Sequence, residues 1–328
     1  MIRALRGHQD APTQFDLLPE AIESALQTEG SLIWLDFEGE PDTACEPILR
    51  DVFKFHPLAI DDALRETHVP KIDDWGSYLY LVVHSVVYQP DADEPLDVRE
   101  LDLFIGPNFV VSHHDQTIPA IEMTWERCHR DERLVRRGPG YLLYELLDTQ
   151  VGAIFPIVDK LDEALERVED EIFDNGGPDI LHTIFSLKRS LLELRRLIAP
   201  QREVVNKLAR DEYGVLRRED RIYYRDVYDH LVRSFDISES MRDQTTGALE
   251  TYLSVINNRM NDVMKTLTII TTMFMPLTVL VGFFGMNFFE PSLHMPMWTG
   301  HTALIVALLV MLGSPLGMFL WARRRGWV

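Results

Sequence analysis

A stripe of polar side chains runs along one face of a long predicted helix near the end of the chain. Steps of three and four residues from Asn261 stay on one helical face. Going forward, these steps reach Met264, Thr268, Thr271, Met275, Thr278 and Gly282. Going backward, they reach Asn257, Ser254, Glu250, Gly247, Asp243, Ser240 and Asp236. The sizes and polarities of these side chains are typical of a pore wall.

The upstream half of the stripe carries a carboxylate at every seventh residue, at Asp236, Asp243 and Glu250. In a symmetric assembly, copies of these residues would form stacked acidic rings, which concentrate cations. A solvated face of a stalk helix explains the same pattern. The downstream half is harder to explain in that way, because threonines on an apolar helix need partners or water.

The stripe also contains large apolar side chains. Met264 and Met275, with Leu267 at the edge of the face, predict apolar collars that block hydrated ions when closed. The alternative is ordinary helix packing. At the far end of the helix stands Gly285-Met286-Asn287, which would also serve as a helix C-cap.

A filter for Mg²⁺ has to contact a hydrated ion, because Mg²⁺ gives up its waters reluctantly. Neutral oxygens make such contacts without trapping the ion. A ring of Asn287 carboxamides with nearby backbone carbonyls therefore predicts a selectivity filter at Gly285, Met286 and Asn287.

The residues of the stripe and the filter must be positioned by the elements around them. Two stretches of the chain contain no charged residue, Thr266 to Phe289 and Pro291 to Ala322. Each contains the roughly 20 residues that a helix needs to cross a bilayer, although buried helices of a soluble domain are the alternative. Arg259 and Lys265 precede the pair and Arg323 to Arg325 follow it. Positive charge on both sides of the pair predicts that both termini are cytoplasmic. A compact chain without a targeting segment is typical of a bacterial or archaeal inner (plasma) membrane.

The upstream part alternates strand and helix signals. LIWLDF, YLYLVVHSVVY and LDLFIGPNFVVSHH read as strands, and Glu46 to Leu64 and Ile118 to Arg136 read as helices. They predict an α+β cytosolic domain that ends at Gly138-Pro139-Gly140.

Helical periods follow. One apolar seam runs from Leu147 to Ile172, and a second runs from Ile180 to Ile198, after a break at Asn175 to Pro178. They predict an antiparallel hairpin whose second helix is capped by Asp179. A third helix is expected from Glu219 to Phe284, roughly 100 Å long.

The resulting division of the chain has seven parts. They are a cytosolic α/β domain (1–137), a helical hairpin (138–212), a stalk helix (213–265), a first transmembrane helix that lines the pore (266–286), an outer loop (287–301), a second transmembrane helix (302–322) and a basic cytoplasmic tail (323–328).

Composition excludes several classes of function. The formal net charge of −20 disfavours nucleic acid as a partner and favours cations. Cys45 and Cys128 are the two cysteines and lie far apart, so no disulfide framework or thiolate zinc site is expected. The chain has no GxxxxGK[ST] loop and its first residues lack the apolar stretch of a signal peptide. We therefore expect neither an organic cofactor nor an enzyme.

The sequence resembles the CorA family of divalent metal ion transporters. The resemblance rests on Gly285-Met286-Asn287, on the run NDVMKTLTIITTMFMPLTVLVGFFGMN, on the terminal RRRGWV, on RDVYDH at Arg225 to His230 and on HVPKIDDW at His68 to Trp75. It implies a funnel-shaped homopentamer in the lipid bilayer that conducts Mg²⁺, often with Co²⁺ and Ni²⁺.

Position in the family motifs also implies residue roles. Asn287 matches the filter residue, and the pore-lining positions match Asn261, Leu267, Met275 and Thr278. The resemblance places Leu267 in the pore where helical steps place the adjacent Thr268, and both remain open.

The same resemblance implies a regulatory Mg²⁺ site between subunits. Asp226 matches a family position in this intracellular metal-sensing site. Its partner in the next subunit is expected to be Asp73 or Asp74, with Asp148 as a further ligand.

The sequence departs from the family pattern in the outer loop, where Glu290 is the only acidic residue. Zinc-transporting relatives commonly carry GIN, so GMN favours magnesium. Two alternatives from other classes are a membrane-anchored sensor without a pore and an N-terminal enzyme built on His113-His114-Asp115. Adjacent histidines on a strand point to opposite faces, which disfavours the enzyme.

Overall fold

The computed structural model describes residues 1–8, 11–17, 19–65, 68–89, 95–174, 177–286 and 300–326. Within it the chain forms two compact units, Met1–Leu249 and Glu250–Val328.

The first unit begins with a seven-stranded sheet. Its strands are β1 (Ile2–His8), β2 (Ala11–Phe15), β3 (Ser31–Glu38), β4 (Lys71–Asp74), β5 (Leu79–Tyr88), β6 (Leu96–Ile105) and β7 (Phe109–His114). They lie in the order β2-β1-β3-β7-β6-β5-β4, and β3 with β7 is the parallel pair. The three apolar runs that predicted strands fall on β3, β5, β6 and β7, because β-branched and aromatic side chains pack well on a pleated surface.

Short helices cover the sheet. They are α1 (Pro19–Leu26), α2 (Asp42–Pro47), α3 (Pro57–Arg65), α4 (Pro119–Arg130) and α5 (Arg133–Arg136). An aromatic cluster lies in the core of this layer, where Phe55 stacks on Phe104 with ring centroids 4.3 Å apart. Offset stacking of this kind adds to the apolar area that the rings bury.

Two predicted helices are interrupted. Within Glu46 to Leu64, α2 passes into a π-helical turn at Ile48–Val52, and Lys54 then adopts a left-handed φ of 57°. Within Ile118 to Arg136, the Asp131 carboxylate accepts the backbone N–H of Arg133 at 3.0 Å and separates α4 from α5. A short side chain that bonds to nearby backbone competes with the helical hydrogen bonds.

Three longer helices follow, α6 (Pro139–Gly152), α7 (Phe155–Asp174) and α8 (Pro178–Arg210). The single seam predicted from Leu147 to Ile172 is therefore divided between α6 and α7. Pro156 stands at the start of α7, where a residue without an N–H is tolerated, whereas it would interrupt a continuous helix.

The seams of α7 and α8 are buried and the two helices pack together. The predicted cap at Asp179 is wrong, because Gly177 is the N-cap and Pro178 takes the first helical position. Asp179 lies in the first turn, where a carboxylate still interacts favourably with the helix dipole.

The longest helix, α9 (Arg221–Phe284), has 64 residues and is about 96 Å long. It starts slightly later than predicted, because Arg218–Asp220 forms a 3₁₀ turn. It is continuous through Pro276. In the second unit, α10 (His301–Arg324) follows. Length and composition allow α9 and α10 to cross a membrane.

Candidate metal site and ion pathway

The start of α9 is anchored to the start of α6. Tyr224 is fully buried, and its hydroxyl donates to the Gly140 carbonyl at 2.7 Å. Asp220 is also buried and pairs with Arg217 at 3.0 Å. A Cβ on Gly140 would collide with the Asp220 carboxylate. The glycine therefore allows the two helices to approach closely.

This anchoring brings three possible metal ligands together. Asp148 lies on α6, and Asp226 and His230 lie on α9. One ligand atom from each residue falls within 4.8 Å of the others. His230 Nδ1 lies 3.8 Å from Asp148 Oδ1. Asp226 and His230 are four residues apart and share one face of α9.

The electrostatics of this cluster favour a cation. Burial raises the pKa of Asp148, and the neighbouring Glu145 and Asp226 carboxylates raise it further, while His230 opposes the shift. A carboxylate that is held near like charges gains from a divalent ion between them. Two carboxylates suit Mg²⁺, and the added imidazole also suits Co²⁺, Ni²⁺ or Zn²⁺.

Asp226 and Asp148, both predicted from the sequence, thus meet in one site. His230 was missed as a ligand, although it ends the RDVYDH motif and its spacing from Asp226 was a usable signal. Asp73 and Asp74 are placed elsewhere, on β4. Asp73 pairs with Lys71 at 3.4 Å, and the Asp74 carboxylate accepts the Gly76 N–H at 2.8 Å. Their pairing with Asp226 of a neighbouring subunit stays a prediction.

The acidic stripe of α9 is exposed. Its upstream members Asp236, Asp243 and Glu250 face outward in the single chain. The opposite side of the same helix is buried at Leu231, Ser234, Ser238, Met241, Thr245 and Ala248. Among the exposed carboxylates, Asp243 pairs with the adjacent Arg242 at 3.0 Å. The predicted polar stripe is therefore exposed over this stretch, and the side of the helix opposite to it is packed.

The downstream stripe is exposed as well, at Asn261, Met264, Leu267, Thr268, Thr271, Met275 and Thr278. Each of its threonines donates its hydroxyl proton to the carbonyl four residues earlier. The oxygen-to-oxygen distances are 2.7 Å for Thr268, 2.9 Å for Thr271 and 3.1 Å for Thr278. This bond satisfies the proton without a second helix and leaves the hydroxyl oxygen as an acceptor.

Leu267 and Thr268 differ in what they face. Thr268 lines a cavity of about 300 Å³ between α9 and α10. Thr272, Gly317, Met318 and Trp321 line it too, and Leu267 does not. This placement favours Leu267 over Thr268 for the open face of α9.

The helix ends just before the predicted filter. The Gly285 N–H donates to the Val281 carbonyl at 2.8 Å, and Met286 follows in a bend. Asn287 and Glu290 lie outside the residues that the structure describes. The filter therefore stays a prediction.

Comparison with known proteins places this architecture in context. The family model for CorA-like Mg²⁺ transporter proteins matches residues 29–324. The Bacillus subtilis protein YfjQ is 35% identical over 307 residues, which cover 93% of each chain. The cobalt/magnesium transport protein CorA of Thermotoga maritima is 33% identical over 83% of this chain and 79% of its own.

A solved structure has the same fold. The CorA magnesium transporter from Methanocaldococcus jannaschii matches with a TM-score of 0.84 at 22% identity. The match covers 99% of this chain and 98% of that chain. An N-terminal α+β domain, a long helix with an apolar C-terminal part and a second apolar helix are thus common to both proteins.

Proposed function

The chain belongs to the CorA-like Mg²⁺ transporter family and is a divalent cation transporter, and from this premise we propose that it is a homopentameric Mg²⁺ channel. It carries Mg²⁺, with Co²⁺ and Ni²⁺ as further cargo, into the cytoplasm across the inner membrane. Both termini are cytoplasmic. The observation that carries the proposal is the exposed stripe of α9 with its threonine hydroxyls bonded to their own helix.

A hydrated cation presents water hydrogens to its surroundings, so a wall that guides it needs acceptors. Thr271 and Thr278 meet this need, because their protons are already donated to the Leu267 and Phe274 carbonyls. The ion keeps its waters and is not trapped. Membrane potential drives the flow, at roughly 4.6 kcal/mol for a divalent ion per 100 mV.

Regulation uses the acidic cluster. When cytoplasmic Mg²⁺ is high, an ion at Asp148, Asp226 and His230 offsets the repulsion between the carboxylates and stabilises the closed channel. Asp73 or Asp74 of a neighbouring subunit completes the site. When Mg²⁺ falls, the site empties, the carboxylates repel and the apolar collars at Met264, Leu267 and Met275 open.

A zinc transporter is the second candidate. It is favoured by the imidazole of His230, since nitrogen ligands suit Zn²⁺ better than Mg²⁺. The tripeptide Gly285-Met286-Asn287 favours Mg²⁺, and transport with each ion separates the two.

The test is Mg²⁺ entry into liposomes that contain the purified protein and a Mg²⁺-sensitive dye, at a fixed membrane potential. Asn287→Ala should abolish potential-driven entry, because it removes the proposed filter carboxamide. Asn258→Ala is the matched control, since Asn258 is an exposed asparagine of α9 beside the stripe. It should leave entry unchanged.

Both variants are compared with wild type as assemblies of equal size by gel filtration. Entry that survives Asn287→Ala would contradict the filter. A protein that passes no cation under any potential would support the pore-less sensor, and one that passes Zn²⁺ but not Mg²⁺ would support the zinc transporter.

A further inference from the structure

A cavity of about 300 Å³ lies between α9 and α10, within the second compact unit. Neighbouring turns of the two helices form its walls. The lining residues are Thr268, Ile269, Thr272 and Met273 of α9 with Gly317, Met318, Trp321 and Ala322 of α10. Ala322 is buried, whereas Thr272 and Trp321 are exposed. The cavity is therefore open along one side.

The walls of this cavity are mostly apolar. Isoleucine, methionine and tryptophan side chains form a large part of them. Thr268 donates its hydroxyl proton to the Met264 carbonyl at 2.7 Å, so the hydroxyl needs no acceptor in the cavity. Nothing lies within 4 Å of a Cβ built on Gly317, which leaves open space beside the α10 backbone. An apolar space of this kind suits hydrocarbon better than water.

The cavity lies at the end of the two apolar stretches where the charged residues begin. Ala322 is the last residue of the second stretch, and Thr268 is the third residue of the first. At the end of a membrane span, the acyl chains of a bilayer meet the headgroups. Trp321 also stands there, and tryptophan is enriched at this boundary because its ring is apolar and its N–H is polar. Lipid can therefore reach the open side of the cavity.

Each helix carries a basic residue one turn beyond the cavity, on the side that lines it. Lys265 precedes Thr268 by three residues, and Arg325 follows Trp321 by four, so each pair shares a helical face. The Arg325 N–H donates to the Trp321 carbonyl at 3.1 Å, which continues the helical pattern of α10. The Arg325 guanidinium carbon lies 5.8 Å from the centre of the Trp321 ring. Positive charge thus borders the cavity on both helices.

The charge balance at this end of the helix pair favours an anion. Arg323 and Arg324 stand beside Arg325, and Glu290 is the only carboxylate from residue 263 to the end of the chain. The positive-inside rule accounts for the number of basic residues that flank a span. It does not depend on the helical face that they occupy, and Lys265 and Arg325 both follow the cavity. Basic pockets between membrane helices bind the headgroups of anionic lipids.

We propose that this cavity binds an acyl chain of an anionic phospholipid, whose phosphate pairs with Lys265 and Arg325. Ile269, Met273 and Met318 contact the chain. Trp321 lies where the chain joins the headgroup. The site rests on the membrane spans of the proposed function, and it does not depend on which ion the protein conducts.

The test counts the lipids that bind to the full-length protein by native mass spectrometry. Phosphatidylglycerol or phosphatidylcholine with the same acyl chains is titrated into the detergent solution, so the two probes differ in headgroup charge. Wild type should bind phosphatidylglycerol saturably and about 10-fold more tightly than phosphatidylcholine, because two basic residues attract the anionic headgroup.

Gly317→Leu fills the cavity and should weaken phosphatidylglycerol binding by about 10-fold or more, since each methylene that it displaces contributes to binding. Gly313→Leu is the matched control. Gly313 is also a glycine of α10 with nothing within 4 Å of a Cβ, and it does not line the cavity. Its substitution should leave lipid binding unchanged.

Arg325→Gln tests the headgroup contact and also covers the case in which Gly317→Leu fails to assemble. It should reduce the preference for phosphatidylglycerol several-fold and leave phosphatidylcholine binding unchanged. Arg323→Gln is the control, because it removes the same charge two residues away, on the opposite side of α10 at roughly 170° from the middle of the cavity lining. It should keep the preference of wild type.

Equal binding of the two lipids by wild type would overturn the proposal, and so would equal effects of Gly317→Leu and Gly313→Leu or of Arg325→Gln and Arg323→Gln. A wild type that binds neither lipid, together with a Gly317→Leu protein that forms smaller assemblies, would show that a neighbouring copy of the chain fills the cavity instead. The mass measurement involves no ion flux. A failure of the lipid site is therefore distinct from a failure of the channel.

Discussion

Two groups of polar residues lie on α9, the metal cluster at its start and the stripe further along. They differ in whether a single chain is enough to form them. Asp226 and His230 meet Asp148 of α6, so three possible metal ligands, two carboxylates and one imidazole, converge within a single chain. The stripe from Asp236 to Thr278 is exposed, and metal-capable groups of three or more ligands are confined to the first set within the described residues. One chain therefore builds the metal cluster, and symmetry has to build the pathway.

This difference predicts that the two regions can be altered separately. Substitutions in the cluster should change how strongly cytoplasmic Mg²⁺ inhibits the channel, with little effect on the maximal rate. Substitutions in the stripe should change the maximal rate and leave the inhibition unchanged. A variant that changed the inhibition by Mg²⁺ and the maximal rate to the same extent would show that the two regions do not act separately.

The largest effect is expected at Asp226. Asp226→Asn removes one charged ligand, so the cytoplasmic Mg²⁺ concentration that halves uptake should rise by about 10-fold or more. Patch recordings at stepped cytoplasmic Mg²⁺ measure this concentration. Asp229→Asn is the control, because Asp229 is an exposed aspartate in the same motif. Equal inhibition in all three proteins would contradict the sensing role.

The next effect concerns the stripe. A double change of Thr271→Val and Thr278→Val keeps the side-chain shape and removes the acceptor oxygens, so maximal Mg²⁺ uptake should fall several-fold. Half-inhibition by cytoplasmic Mg²⁺ should not move.

Thr266→Val is the matched control for this change. Thr266 makes the same bond, to the Asp262 carbonyl at 2.9 Å, but lies about 160° away from the stripe around the helix. An equal loss of uptake in Thr266→Val would mean that helix stability, and not the pathway, is affected.

Local pattern predicted much of this molecule from the sequence. Strands β3, β5, β6 and β7, both apolar helices and the polar stripe follow from periods of 2 and 3.6 residues, which are local properties. Strands β1, β2 and β4 were not predicted. The break at Lys54 was missed, because a left-handed φ at a lysine has no sequence signal of its own. The break at Asp131 was missed because a side-chain hydrogen bond competes with the helix there.

The meeting of ligands from two different helices, α6 and α9, was only partly predictable from the sequence. The family motif supplied Asp226, and Asp148 was a separate candidate outside the quoted motifs; the contact that unites them depends on the packing of Tyr224 against Gly140. No periodic pattern encodes that packing. His230 joined the site for the same reason. The pathway residues were easier to find because one helix carries them all.

Stability provides a smaller test of the cluster. Gly140→Ala would force the α6 backbone away from Asp220, and overpacking of this kind costs about 1–3 kcal/mol. Thermal unfolding in detergent should show a lower melting temperature, together with weaker inhibition by Mg²⁺. Gly152→Ala is the control, since nothing lies within 4 Å of a Cβ there. A Gly140→Ala protein as stable as Gly152→Ala would show that the close approach of α6 and α9 is not required.

The smallest effect is expected from Asp148→Asn. Because the pKa of Asp148 is raised above its usual 3.8 in the folded protein, the folded state holds a proton more tightly than the unfolded state. The ionised carboxylate therefore destabilises the metal-free protein, and stability falls as pH rises through the range between the two values. In EDTA at pH 7, Asp148→Asn should melt slightly above wild type, and the difference should close near pH 4.

Addition of Mg²⁺ should reverse this order at pH 7, since wild type binds the ion more tightly than the variant and gains more stability from it. Melting curves with EDTA and with Mg²⁺ at both pH values measure the four cases. Asp236→Asn in the exposed stripe is the control. Because Asp236 lies outside the cluster, the melting temperature of this variant relative to wild type should be the same in EDTA and in Mg²⁺. If Asp148→Asn melted below wild type in EDTA at pH 7, the carboxylate would be stabilising without metal. The cluster would then be a structural ion pair with His230 and not a site held ready for a cation.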